Sequence, residues 1–243
     1  MVHIPDRYSS KEEYVHDIFS SIAHRYDFLN TTLSFNRDKF WRKFAVSRCG
    51  LKPGGKGLDV CCGTGMLTIE LARAVGTEGE VVGLDFCQNM LDRAAPNIEK
   101  TPFKSMISLV RGNAIDLPFA DNSFDCATIG FALRNVPDIE KTIREMARVV
   151  RPGGMVVSLE LSKPSAPVFK QAYYLYFDHI VPILGKLGIG KEGPYSYLPE
   201  SLKAFPHQSE IRNIFEREGL LHSCYHELTG GIVTVHEGTK SEK

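Results

Sequence analysis

The chain lacks a net charge: 29 lysines and arginines balance 29 aspartates and glutamates. Nucleic-acid binding ordinarily needs a basic surface, so nothing in the charge argues for a DNA or RNA partner, and none is expected. Metal-type cysteine spacing is also missing. The cysteines at 49, 61, 62, 87, 126 and 224 include no C-x-x-C pair and no zinc pattern. They read as reduced, small apolar residues, with Cys61 and Cys62 closing the first strand on opposite faces, and no metal is expected. No apolar run reaches the length of a membrane span. The opening MVHIPDRYSSKEEY has no basic region followed by an apolar stretch, so no signal peptide is expected and the protein reads as cytoplasmic. Repeats and low-complexity tracts are absent as well. The 243 residues suffice for one α/β domain with an elaboration.

One more absence decides the ligand class. Residues 57–65 read GLDVCCGTG, a short apolar strand running into a Gly-Thr-Gly turn that opens a helix over 66–75. Gly63 and Gly65 leave no Cβ in the way of a sharp turn or a close ligand. A dinucleotide fingerprint needs a third glycine, and Thr68 stands there instead. Asp59 also sits just before the loop, where dinucleotide sites are usually apolar. The next strand ends in Asp85, whose carboxylate can accept from both hydroxyls of a ribose. These features point to a nucleoside with an amino-acid end, S-adenosylmethionine. The competing reading, a tight strand-to-helix turn without a ligand, is favoured for a lone GTG and disfavoured once strand, helix and acid are all in place.

The rest of the chain alternates strand and helix, the pattern of a parallel sheet. Strands are expected near 57–61, 80–85, 106–111, 124–130 and 154–161, with a helix over 139–150 capped by Asp138 and stopped by Pro152-Gly153-Gly154. Residues 10–48 read as helical and 219–237 as an antiparallel hairpin turning at Gly230-Gly231. After the third strand, GNAIDLPF offers the Asn113 amide and the Ala114 backbone N–H to an adenine; alone, it would be only a polar loop. After the fourth strand, Arg134 and Asn135 border the crevice where open α/β sheets bind ligands, and are candidates for catalysis.

Several stretches carry a resemblance to a known family. Tyr26, Asp27, Asn30, Ser34 and Trp41 stand in register with one signature, and RVVRPGGMVVSLELS, with Glu160 and Ser162, matches a second. FALRNVPD, YSYLPESLKAFPHQ and LTGGIVTVHEG look like further segments. The chain resembles the S-adenosylmethionine-dependent C-methyltransferases of menaquinone and ubiquinone biosynthesis, from about Tyr26 to Gly238. Four positions depart from the pattern: Leu29 for Met, Arg151 for Lys, Gly130 for a Ser that touches the cofactor, and Asp38 for His. Asp38 would lie near the substrate entrance and bears on substrate identity.

The resemblance implies a class I methyltransferase fold. That is a single α/β domain over 1–243 with a mostly parallel, seven-stranded Rossmann-like sheet, helices on both faces, an N-terminal helical cap (1–50) and an inserted helical lid (163–205). It implies cofactor contacts at Thr64, Asp85, Asn113 and Ala114, beside the Asp59, Gly63 and Gly65 of the turn. The expected reaction is methyl transfer from S-adenosylmethionine to a ring carbon of a prenylated quinol, demethylmenaquinol first among them. Arg134 would stabilise a developing phenolate and Asn135 orient a water acting as base. The prenyl tail would lie among the aromatics of 169–177, and Lys170, Lys186 and Lys191 could meet headgroups at the inner face of a membrane. A homodimer stays open. Three rivals remain: a methyltransferase for another small phenolic or polyketide-like ring, an NAD-dependent oxidoreductase, and a cofactor-binding module without catalysis.

Overall fold

The computed structural model describes residues 4–164 and 193–242. The aromatics of 169–177, Lys170, Lys186 and Lys191, and most of the expected lid, lie outside the described residues.

Three helices precede the sheet: α1 (Lys11–Ile22), α2 (Tyr26–Leu33) and α3 (Asp38–Ser47). Ser10 caps α1, its Oγ accepting from the Glu13 N–H at 3.1 Å, while the Glu13 carboxylate accepts from the Ser9 N–H at 2.8 Å. The apolar positions Tyr14, Val15, Ile18 and Ile22 recur at helical spacing and are buried. The chain then runs β1 (Lys56–Val60), α4 (Met66–Val75), β2 (Glu80–Asp85), α5 (Gln88–Glu99), β3 (Ile107–Arg111), β4 (Phe124–Gly130), α6 (Ile139–Val149) and β5 (Val150–Leu161). It closes with α7 (Gly193–Ala204), α8 (Gln208–Arg217), β6 (Leu220–Leu228) and β7 (Val233–Lys240).

The seven strands form one sheet in the order β3-β2-β1-β4-β5-β7-β6. The first five are parallel, and β7 enters antiparallel to both β5 and β6. Side-chain alternation splits the core in two. Leu58, Val60, Ala127, Ile129 and Val156 pack with Ile143 and Met146 of α6 and Phe215 of α8. Cys126, Val157, Leu159 and Val235 pack with Leu71 and Val75 of α4 and Trp41 and Ala45 of α3. Trp41 also fixes α3 to the β6–β7 turn, its indole N–H donating to Thr229 Oγ1 at 2.8 Å.

Two local expectations change. The first strand stops at Val60, because Cys61 takes a left-handed φ of 55° and breaks the extended alternation. β5 begins at Val150, before Pro152-Gly153-Gly154. Phe124 pairs with Val150, and a register shift before Cys126 absorbs the extra residues, so the Pro-Gly-Gly turn is a bulge inside the pairing.

After β3 the chain crosses back to β4 on the far side of β1. The carboxyl ends of β1 and β4 therefore diverge, and the crevice opens there. Among the described residues no helix is long and apolar enough to cross a membrane.

Candidate active site

The turn after β1 is built by conformations that suit glycine. Gly63 has φ 55° and Gly65 φ 81°. A Cβ on Gly65 would lie 3.3 Å from the Ala94 Cβ, so the turn packs directly on α5. The missing third glycine now has a reason. Thr68 is fully buried and its hydroxyl donates to Asp59 Oδ2 at 2.6 Å, while Thr128 of β4 donates to Oδ1 at 3.0 Å. Burial pushes the Asp59 carboxyl up to about 7, against the two hydroxyl donors and with the Asp85 charge adding to the rise.

Asp85 closes β2 with its carboxylate facing the turn. Oδ2 accepts from the Gly63 N–H at 2.8 Å and Oδ1 from the Cys87 N–H at 2.9 Å. Burial raises its pKa, opposed by those backbone donors. Cys61 and Cys62 beside it are held as neutral thiols, by burial first and then by the two aspartates.

The crevice runs over the strand ends. Its walls include Asn113 and Ala114 after β3, Asp85 and Phe86 after β2, Cys61 and Gly63 after β1, and Gly130, Phe131 and Asn135 after β4. Glu12, Val15 and Phe19 of α1 and Tyr26 of α2 cover it. A second compartment shares Tyr26, Cys61, Gly63, Gly130 and Phe131 with the first and adds Arg42, Asp59 and Thr64. Asp59, Gly63, Asp85, Asn113 and Ala114 thus border one continuous groove.

Two expected contacts take a different form. The Asn113 amide donates to Glu12 Oε1 at 2.6 Å, so it faces α1. The Thr64 hydroxyl donates to Asp27 Oδ1 at 2.5 Å, and Asn97 Nδ2 bridges Asp27 Oδ2 and the Thr64 carbonyl, at 3.1 Å each. At Gly130, where the family serine is missing, an added Cβ would stand 2.9 Å from Leu67 Cδ2, the movable end of that side chain.

Arg134 and Asn135 are brought together beside the groove, but in a buried network. Arg134 Nη1 donates to Glu160 Oε1 at 2.6 Å and to the Phe131 carbonyl at 2.7 Å. The two side chains of the ion pair are 7% and 1% exposed, so this charge pair is out of water. Burial opposes the guanidinium charge, yet Glu160, Tyr26 and Tyr197 outweigh it and hold Arg134 protonated more firmly than usual. Its Nε is buried without a hydrogen-bond partner among the described residues. Asn135 lines the groove, and its Oδ1 accepts from the Tyr197 hydroxyl of α7 at 3.0 Å. Burial lifts the Tyr197 phenol to about 12. The Tyr26 phenol is also pushed up by burial, with Arg134, Asn30 and Arg42 pulling the other way.

Glu12, Tyr26, Glu160 and Tyr197 escaped the sequence reading as site residues. Tyr26 and Glu160 had a signal, since both sit in the family signatures. Glu12 had none: it reads as an ordinary first-turn acid, and it meets Asn113 across 101 residues of sequence. Asp38, expected at an entrance, is 5% exposed and paired with Arg42, Oδ2 to Nη1 at 2.5 Å.

The groove fits S-adenosylmethionine by its chemistry. It offers an acid at the end of β2 for ribose hydroxyls, an amide and apolar walls toward β3 for adenine, and charged groups at the β1 end for an amino acid. Known proteins agree. The sequence matches the ubiE/COQ5 methyltransferase family over residues 7–240. It is 53% identical over 230 residues to demethylmenaquinone methyltransferase of Desulfitobacterium hafniense (strain Y51), covering 95% of this chain and 91% of that protein. It is 48% identical over 233 residues to demethylmenaquinone methyltransferase of Bacillus cereus (strain ATCC 10987 / NRS 248), covering 96% and 98%. Among solved structures, a SAM dependent methyltransferase from Aquifex aeolicus aligns with TM-score 0.63 at 18% identity, over 87% of this chain and 96% of that one. The [4+2]-cyclase SpnF aligns with TM-score 0.59 at 16% identity, over 96% and 98%. Those two likenesses speak for the fold, which carries more than one chemistry. The family match over nearly the whole chain is what speaks for activity: this chain belongs to the ubiE/COQ5 methyltransferase family and is an S-adenosylmethionine-dependent methyltransferase.

Proposed function

We propose that the protein methylates a ring carbon of a reduced, prenylated naphthoquinol, converting demethylmenaquinol to menaquinol. The observation that carries this reading is the 53% identity, over 91% of its length, to a protein named for demethylmenaquinone.

Asp85 would hold the ribose, and Asn113 and Ala114 the adenine, once Glu12 releases the Asn113 amide. When bound, S-adenosylmethionine supplies an electrophilic methyl group on a sulfonium. The protein's task is then to orient the ring and help it lose a proton. Phe19, Phe86 and Phe131 give the groove flat apolar walls for an aromatic ring. Arg134 would stabilise the phenolate through its buried charge, and Asn135 would orient the water that takes the hydroxyl proton. Ionisation raises electron density on the adjacent ring carbon. That carbon forms the new C–C bond as the S–CH3 bond breaks, and its own proton then leaves to water. An oxidised quinone has no hydroxyl to ionise.

Residues 1–50 serve in this reading as a cap within one domain. Phe28, Phe35 and Phe40 are exposed on and between α2 and α3, which supports peripheral contact with the bilayer that holds such a substrate.

The test presents one demethylnaphthoquinone in detergent, reduced and oxidised, and follows methylated product by mass spectrometry. Methylation of the reduced form alone is expected. Equal methylation of both forms, with reduction during the assay excluded, overturns the quinol reading.

A further inference from the structure

The groove has two charged ends, and only at one has each ligand group been matched to a named residue. Toward β3 lie Asn113, Ala114 and Asp85. Toward β1 and β4 the second compartment is lined by Tyr26, Arg42, Asp59, Thr64, Gly130 and Leu159, among others. Gly63 and Cys61 belong to both, so a ligand lying across the strand ends passes from one to the other. A nucleoside with adenine at β3 and ribose at Asp85 must send its 5′ substituent this way.

Arg42 is the cation at that end. It sits on α3, 7% exposed, with its guanidinium 5.8 Å from the Phe131 ring centroid. Asp38, one turn earlier, takes Nη1 at 2.5 Å, and the Ser34 hydroxyl donates to the other Asp38 oxygen at 3.1 Å. Asp38 therefore works as a bracket: by holding Nη1 it fixes the direction of a planar donor group, whose Nη2 and Nε lie outside that ion pair. A guanidinium held in this way matches a carboxylate better than a lysine could, because its paired N–H groups reach both oxygens.

We propose that Arg42, positioned by Asp38, is the binding site for the α-carboxylate of the S-adenosylmethionine aminoacyl group, with Asp59 facing the ammonium at the same end. The proposal rests on the S-adenosylmethionine-dependent reading of the groove. It gives Asp38 a role at the cofactor, in place of one at the substrate entrance. A bound ammonium would also counter the burial that otherwise favours the protonated Asp59 carboxyl.

The test separates the carboxylate from the rest of the ligand. S-adenosylhomocysteine carries the amino-acid end; 5′-methylthioadenosine keeps adenine, ribose and sulfur and lacks it. Calorimetry of both ligands is run on the wild type, Arg42→Gln, Arg42→Lys and the double variant Asp38→Asn/Arg42→Gln. The double variant removes both charges and so avoids a lone buried carboxylate if the single variant folds poorly. Arg42→Gln and the double variant should bind S-adenosylhomocysteine about 10- to 150-fold more weakly, the equivalent of one charged hydrogen-bonding partner. Their affinity for 5′-methylthioadenosine should stay within about threefold of the wild type. Arg42→Lys should recover part of the loss. Equal weakening for both ligands, or no weakening for S-adenosylhomocysteine in a folded variant, overturns the assignment. A wild type that binds methylthioadenosine but not S-adenosylhomocysteine would instead remove the reading on which the assignment rests.

Discussion

Replacing Glu160 with alanine should be among the most damaging single changes in the site. The carboxylate is 1% exposed and accepts from Arg134 Nη1 at 2.6 Å, the Arg134 N–H at 3.2 Å and the Leu161 N–H at 2.8 Å. Its loss strands a guanidinium that is itself 7% exposed. Breaking one side of a buried pair costs about 3–5 kcal/mol. For a chain of this size that corresponds to roughly 6–20 °C in melting temperature. Arg134→Ala should cost less, because the carboxyl left behind keeps two backbone donors and can take up a proton. The double variant should therefore be more stable than the sum of the single losses by at least ~1 kcal/mol. The assay is urea unfolding of all four proteins, with S-adenosylhomocysteine binding and turnover measured on the same samples. Arg134→Ala should keep its ligand affinity and lose about 10²–10³-fold in turnover if it stabilises the phenolate. Losses that add to within ~0.5 kcal/mol would refute the coupled pair. Normal turnover in Arg134→Ala would refute its place at the ring.

Asp85→Ala should weaken S-adenosylhomocysteine binding by about 1.5–3 kcal/mol, read by calorimetry; unchanged affinity in a folded variant would remove Asp85 from the site. Asp59 makes a pH prediction. Its folded pKa of about 7 lies above the ordinary 3.8, so its proton is held more tightly in the folded state. The stability it confers is full below about pH 4, falls as pH rises through 7, and is flat above, on the order of 4 kcal/mol in all. Asp59→Asn should flatten that part of the unfolding profile between about pH 4 and 7, and parallel profiles for the two proteins would contradict it.

Most of the sheet was legible because its strands are short apolar runs bounded by glycine, proline and polar turns. The ranges 80–85 and 124–130 coincide with β2 and β4. The errors fell where tertiary context overrides a local signal. Pro152-Gly153-Gly154 reads as a stop, yet pairing of Phe124 with Val150 carries the strand past it. Cys61 looks like one more strand residue until its φ of 55° is known. In the site, positions were readable and partners were not. The GTG turn, Asp85 and the Asn-Ala pair announce themselves through spacing. The partner of Arg134 lies 26 residues away in another strand, and no local pattern couples Arg134 to Glu160. Asp38 read as an odd residue in a signature, although its i,i+4 spacing to Arg42 on one helix was a local signal for the ion pair the structure shows.

The most direct test of the central claim is methyl transfer from S-adenosylmethionine labelled with a trideuteriomethyl group to reduced demethylmenaquinol, with the product analysed by mass spectrometry and NMR. The account predicts an intact trideuteriomethyl group on the ring carbon beside a hydroxyl, with the ring hydrogen gone and both oxygens unmethylated. A label found on oxygen, or no label transferred to any quinol while a simple phenol is methylated, would contradict it.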